Sequence, residues 1–144
     1  MRMHRAWLLA LALALAGAMA ADAPALATGT AQALISYKVL KESDKGQMVL
    51  VKKGSKMADV VQLASKLIHD SAGKPSYKLK VFDLRSAVEA FERQDPSATY
   101  QDRERMGRDY DAHLLLFYTR NAAGAEEMRV LRRSTGEMQI RALP

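Results

Sequence analysis

Between Ile35 and Phe82 the apolar residues change their spacing twice, from alternation to a helical repeat and back to alternation. That switch constrains the fold more than any other feature of the chain. Ile35, Tyr37 and Val39 alternate with Ser36 and Lys38, as on a half-buried strand. Ser43-Asp44-Lys45-Gly46 is a turn cluster, and residues 47–52 are apolar on both faces, as expected of a central strand. The two runs and their short connection predict a β-hairpin. From Met57 the period becomes helical: Val60, Val61, Leu63, Ala64, Leu67 and Ile68 fall on one face with Met57. Asp59, Gln62, Ser65, Lys66, His69 and Asp70 fall on the other. Ser55 is the expected N-cap and Gly73-Lys74-Pro75 the expected stop. Tyr77, Leu79 and Val81 then alternate with Lys78 and Lys80. A strand, a helix and a strand in this order imply a right-handed crossover between parallel neighbours.

The remainder extends the same architecture. Leu84, Ala87, Val88, Ala90 and Phe91 predict a second short helix, capped by Asp83 or Ser86 and stopped at Asp95-Pro96. Residues 95–113 are polar, charged and aperiodic up to His113, and the expectation is a long polar loop. Residues 113–118 are apolar on both faces, a second central strand. Asn121-Ala122-Ala123-Gly124 is a turn, residues 127–133 pair back as a hairpin, and Met138 and Ile140 mark a short extra C-terminal strand. The fold class expected is α+β over residues 34–144: a single-layer mixed, mostly antiparallel sheet in the order ββαβαββ, with two helices packed on one face.

Residues 1–20 have the form of a secretory signal. Arg2 and Arg5 form a positive start, an almost unbroken Leu/Ala stretch follows, and Ala18-Met19-Ala20 supplies small residues for cleavage near Ala20/Ala21. Residues 21–33 read as a flexible leader. The expected location is therefore periplasmic or secreted, with no transmembrane segment in the mature chain. Cleavage removes two arginines, so the formal charge of +6 becomes +4. The chain has no cysteine, which excludes a disulfide scaffold, a thiol nucleophile, a cysteine-held metal and a lipoprotein anchor.

Few residues carry chemistry. No serine lies in a G-x-S-x-G elbow, and the glycine spacings of phosphate loops do not occur. Glu126-Glu127 diverge on a strand and Glu89 and Glu92 lie on a helix face, so neither pair reads as a catalytic acid and base. No catalytic residue and no cofactor is assigned. Asp109, Asp111 and His113 stand at alternate positions; on an extended chain they would project from one face and suit a divalent metal. All ten lysines lie between Lys38 and Lys80, whereas every arginine after Arg5 lies at Arg85 or beyond. Lys52, Lys53, Lys56, Lys78 and Lys80 are candidate contacts to an anionic surface. In the polar loop, Tyr100, Arg103, Arg105, Arg108 and Tyr110 are candidate contacts to a partner. Nucleic acid is disfavoured, because the strands carry no aromatic stacking array.

Residues 37–42 (Tyr-Lys-Val-Leu-Lys-Glu), the Val49-Leu50-Val51 strand, the helix containing Leu63-Ala64 and the Val81-Phe82-Asp83 strand end resemble a family of small exported bacterial α+β domains of unknown function. The resemblance implies the α+β architecture and no site. Three functional expectations follow. The first is an exported non-enzymatic interaction module that holds an unknown protein or an anionic envelope component. The second is a metal-binding protein or small metal-assisted hydrolase using Asp109, Asp111 and His113. The third is an envelope-associated protein whose Lys-rich half meets anionic surfaces.

Overall fold

A computed structural model describes residues 34–93 and 95–143; the expected signal sequence and leader lie outside the described residues. The elements run β1 (Tyr37–Ser43), β2 (Gly46–Val51), α1 (Met57–Asp70), β3 (Tyr77–Phe82), α2 (Arg85–Glu92), α3 (Tyr100–His113), β4 (Leu114–Arg120), β5 (Glu126–Arg132) and β6 (Glu137–Arg141). The six strands form one mixed sheet in sequence order. β2 and β3 are parallel, as the crossover through α1 requires, and every other neighbouring pair is antiparallel. The α+β class is as expected, and the extra C-terminal strand is present.

α1 forms because its apolar stripe has a sheet to cover. Val60, Val61, Leu63, Ala64 and Leu67 are buried against Val49, Val51, Leu79, Val81, Leu116 and Tyr118. Its N-cap position is Lys56, not Ser55; the Ser55 hydroxyl instead donates to the Lys52 carbonyl at 2.6 Å and closes the turn after β2. At the other end, Arg120 Nη1 donates to the carbonyls of Ser71 and Lys74, at 3.0 and 3.2 Å. The guanidinium thereby ties the C-cap residue of α1 and the turn beyond it to β4. Arg120 also pairs with Glu126 at 2.8 Å, and Glu126 accepts the Tyr118 hydroxyl at 2.6 Å. These two donors hold the Glu126 carboxyl below its ordinary range, the tyrosine hydroxyl contributing most.

Two helices on one face were expected; the structure has three, and they divide between both faces. β3 shows why. Tyr77, Leu79 and Val81 point under α1, while Phe82 points the other way and joins Val88 of α2 and Tyr110 of α3 in a second cluster. Tyr110 stacks between Phe82 and Phe91, with ring centroids 4.9 and 4.3 Å away. The expected caps of α2 are not used: its N-cap position is Leu84, and the Asp83 carboxylate is taken by His113.

α3 overturns the expected loop over 95–113. Only Tyr110 of its fourteen residues is buried, so no apolar stripe betrays it. Its stability comes from its ends and its polar faces. Thr99 and Asp102 form a capping box: the Thr99 side chain accepts from the Asp102 amide at 3.1 Å, and the Asp102 carboxylate accepts from the Thr99 amide and hydroxyl. Those bonds lower the Asp102 pKa. Asp102 and Glu104 then pair with Arg105 and Arg108, each acid one turn N-terminal to its base, the favourable order on a helix. Thr99-x-x-Asp102 was the legible signal.

Candidate functional site

Cross-strand pairing defines the face opposite α1. Gly46, Met48 and Leu50 of β2 lie beside Lys78, Lys80 and Phe82 of β3, and these beside Thr119, Phe117 and Leu114 of β4. α2 and α3 cover this face at its Phe82 end. Towards Lys78 it is open, and there Lys41, Lys45, Lys78 and Lys80 surround a cavity of about 220 Å³ floored by Gly46 and Met48.

Each lysine is positioned by a different local cause. Lys80 stands where the covered part of the face ends: its Nζ donates to the Tyr110 hydroxyl at 2.8 Å and lies 5.3 Å from the Tyr110 ring centre and 6.0 Å from that of Phe117. Two aromatic rings and a hydroxyl hold the ammonium group, and Lys80 is also one of the residues that line the groove. Lys78 follows from strand alternation, two residues before Lys80. Lys45 sits in the β1–β2 turn, whose backbone is locked to β3: the Lys78 amide donates to the Lys45 carbonyl at 2.9 Å. Close approach at this point requires Gly46, since a Cβ there would lie 2.2 Å from the Lys78 carbonyl oxygen.

Lys41 is the least obvious of the four. By simple alternation it would share a face with Tyr37 and Val39. The β1–β2 register instead runs Val39↔Val49 and then Lys41↔Met48, so Leu40 is an extra residue in β1. This β-bulge turns Lys41 to the side of Met48, the side on which Leu40 already packs against the cluster around Phe82 and Tyr110. At the rim Lys41 meets Glu92 of α2 at 3.5 Å; among the described residues no carboxylate bridges Lys45, Lys78 or Lys80. Ser43 also lines the groove, its hydroxyl directed to the Gly46 carbonyl at 3.4 Å. Ammonium donors over an apolar floor are equipped to hold an anion by charge and hydrogen bonding.

The five lysines singled out from the sequence therefore separate. Lys78 and Lys80 enter the groove. Lys52, Lys53 and Lys56 lie beyond the far end of β2, around the turn into α1, where Arg133 donates to the Ser55 carbonyl at 2.7 Å. Lys41 and Lys45 were missed, because one is aimed by a bulge and the other sits in a turn whose place over β3 is a tertiary fact. The lysine bias of the first half was the available signal.

The metal reading loses its geometry. Asp109, Asp111 and His113 belong to α3, not to a strand. On a helix, positions two apart are separated by about 200°, so Asp111 points away from the other two. Among the described residues no three metal-ligating side chains gather into a site. His113 Nδ1 instead meets Asp83 Oδ1 at 2.8 Å, and the Asp83 amide donates to the His113 carbonyl at 3.3 Å; together they tie the end of β3 to the junction of α3 and β4.

The five partner-contact candidates also sit on α3. Tyr110 is buried; Arg105 and Arg108 are paired within the helix; Arg103 donates twice to the Ala98 carbonyl, at 3.1 and 2.9 Å. Tyr100 is 80% exposed. Arg103 also lines a second concavity, of about 330 Å³, with Phe91, Asp95, Pro96 and Met106. No helix among the described residues is long and apolar enough to cross a membrane. Compared with protein-family models, with curated proteins and with solved structures, the chain finds no match.

Proposed function

We propose that this chain is an exported, non-enzymatic binding module that engages an anionic envelope surface through the open, basic part of its sheet. The convergence of Lys41, Lys45, Lys78 and Lys80 on one uncovered half-face carries this reading. α1 shields one face of the sheet completely enough to make a core, and α2 with α3 shields the Phe82 end of the other. What remains is a concave surface lined by four lysines, with Glu92 against Lys41 at its rim and Glu42 held by the lining Gln47. Such a field attracts anions from a distance and holds them more firmly on contact. The signal-like pattern of residues 1–20 supports delivery to the periplasm or medium, where lipid headgroups and other anionic envelope components are the abundant polyanions.

Co-sedimentation with vesicles tests the reading. The protein recovered from a bacterial periplasm binds vesicles containing phosphatidylglycerol and not pure phosphatidylcholine. Binding is lost as ionic strength rises towards 1 M, where screening is complete within about 3 Å. Replacing the four groove lysines by glutamine abolishes it. Equal binding to both vesicle types, or binding that ignores salt, would remove the proposal.

A further inference from the structure

We infer that the groove is a discrete one-to-one site for a phosphate group, and not merely part of a diffuse positive surface. This rests on the reading that the open basic face is the binding surface, and it adds the chemical class of the ligand. The concavity of about 220 Å³ is open to solvent on one side. At about 30 Å³ per water it holds about seven waters, enough for a phosphate and the first atoms of the group that bears it.

One donor is pre-positioned, and the backbone that carries two others is fixed. Lys80 is held by the Tyr110 hydroxyl and two aromatic rings, so much of its side-chain freedom is lost before any ligand arrives. The main chains of Lys45 and Lys78 are fixed to one another by a 2.9 Å hydrogen bond and by the close approach at Gly46. Lys41 arrives through the bulge, with Glu92 as a rim counter-ion that an incoming dianion displaces.

Charge and donor type select phosphate over carboxylate. Four lining lysines against the two carboxylates bonded to lining residues, Glu92 on Lys41 and Glu42 on Gln47, leave an excess of two positive charges, which a multiply charged anion neutralises better than a monoanion. A planar carboxylate is matched by the arginine fork, whereas lysines act as point charges that can be disposed around a tetrahedral group. The lining residues include lysines and no arginine, although the chain has ten arginines from Arg85 onward. Met48 and the lysine stems beneath the charges accommodate an apolar or sugar-like body attached to the phosphate.

The test is a titration of the isotope-labelled protein with inorganic pyrophosphate at constant ionic strength, followed by amide NMR. Saturable one-to-one shifts centred on Gly46 and Lys78, with Lys52, Lys53 and Lys56 unmoved, are expected. Lys45→Gln combined with Lys78→Gln weakens binding at least tenfold, and Lys52→Gln combined with Lys53→Gln leaves it unchanged; unperturbed core amides verify that each variant is folded. Non-saturating shifts, shifts shared equally by both lysine groups, or undiminished affinity in the groove variant overturn the inference. Salt-sensitive vesicle binding without a saturable pyrophosphate site overturns it too, while leaving the surface-binding reading intact. Conversely, a pyrophosphate site without any vesicle binding supports the inference and removes that reading. With a site in hand, phosphatidic acid vesicles that displace pyrophosphate identify the phosphate as lipid-borne; failure to displace it identifies a soluble ligand.

Discussion

Replacing Gly46 by alanine is a one-carbon test of how the groove is built. The added Cβ would stand 2.2 Å from the Lys78 carbonyl oxygen, 3.0 Å from its carbonyl carbon and 3.1 Å from its amide nitrogen. Ordinary contact begins near 3.4 Å, so the two strands must part by about 1.2 Å. All three obstacles are backbone, and no rotamer change relieves them. That displacement carries the Lys78 N–H···Lys45 O bond, now 2.9 Å, beyond the usual limit of about 3.2 Å. Overpacking costs about 1–3 kcal/mol and a lost backbone hydrogen bond about 1 kcal/mol more, giving about 2–4 kcal/mol in all. For a domain of this size the melting temperature then falls by about 10 °C. Urea denaturation followed by far-UV circular dichroism is the assay: the midpoint drops while the slope is unchanged. Amide exchange at Lys78 accelerates as well. Gly107→Ala supplies the opposite sign, since nothing lies within 4 Å of a Cβ there and the site is interior to α3. It gains about 0.5–1 kcal/mol from helix propensity. A Gly46→Ala protein with a wild-type midpoint and a protected Lys78 amide would refute the close-approach argument.

Three further perturbations probe the rest of the fold. Thr99→Ala removes the capping box and costs about 1 kcal/mol, with faster exchange in the first turn of α3; Thr99→Ser restores most of the loss, and equal exchange in all three proteins would show that the cap is not what holds the helix. Phe82→Ala empties the centre of the cluster that seats α2 and α3, at about 3–5 kcal/mol, and a loss under about 1 kcal/mol in denaturant titration would mean those helices are held otherwise. Tyr118 is pushed up to about 12, first by burial and then by the Glu126 carboxylate that accepts its hydroxyl. Because the unfolded chain ionises this hydroxyl near 10 and the folded one does not, the folded state binds more protons between those values, and stability falls as pH rises through that window. Tyr118→Phe removes a late component from the ultraviolet tyrosinate titration; an unchanged titration curve would contradict the assignment.

Where apolar residues repeat, the sequence was readable. The alternations in β1 and β3 and the stripe of α1 placed those elements because each buries a regular face, and regular burial leaves a regular trace. α3 left none. Its fourteen residues bury one tyrosine, and the bonds that stabilise it are a cap and two ion pairs, which look in sequence like any polar, charged stretch. Reading it as extended also created the metal candidate, since alternate residues share a face on a strand and oppose one another on a helix. The helix removes that juxtaposition and leaves His113 to Asp83, thirty positions earlier.

The sequence by itself determined the α+β class, the parallel β2–β3 pair and the lysine-rich character of the first half, because all three follow from composition and from spacing along the chain. Only the tertiary structure decided which lysines meet. Alternation fixes a side chain's face by counting from its neighbours, and one extra residue in β1 reverses the count at Lys41. The bulge exists only relative to β2, just as the place of Lys45 exists only relative to β3 and that of Lys80 relative to Tyr110. Each is a contact between segments apart in sequence, so no local pattern could carry it.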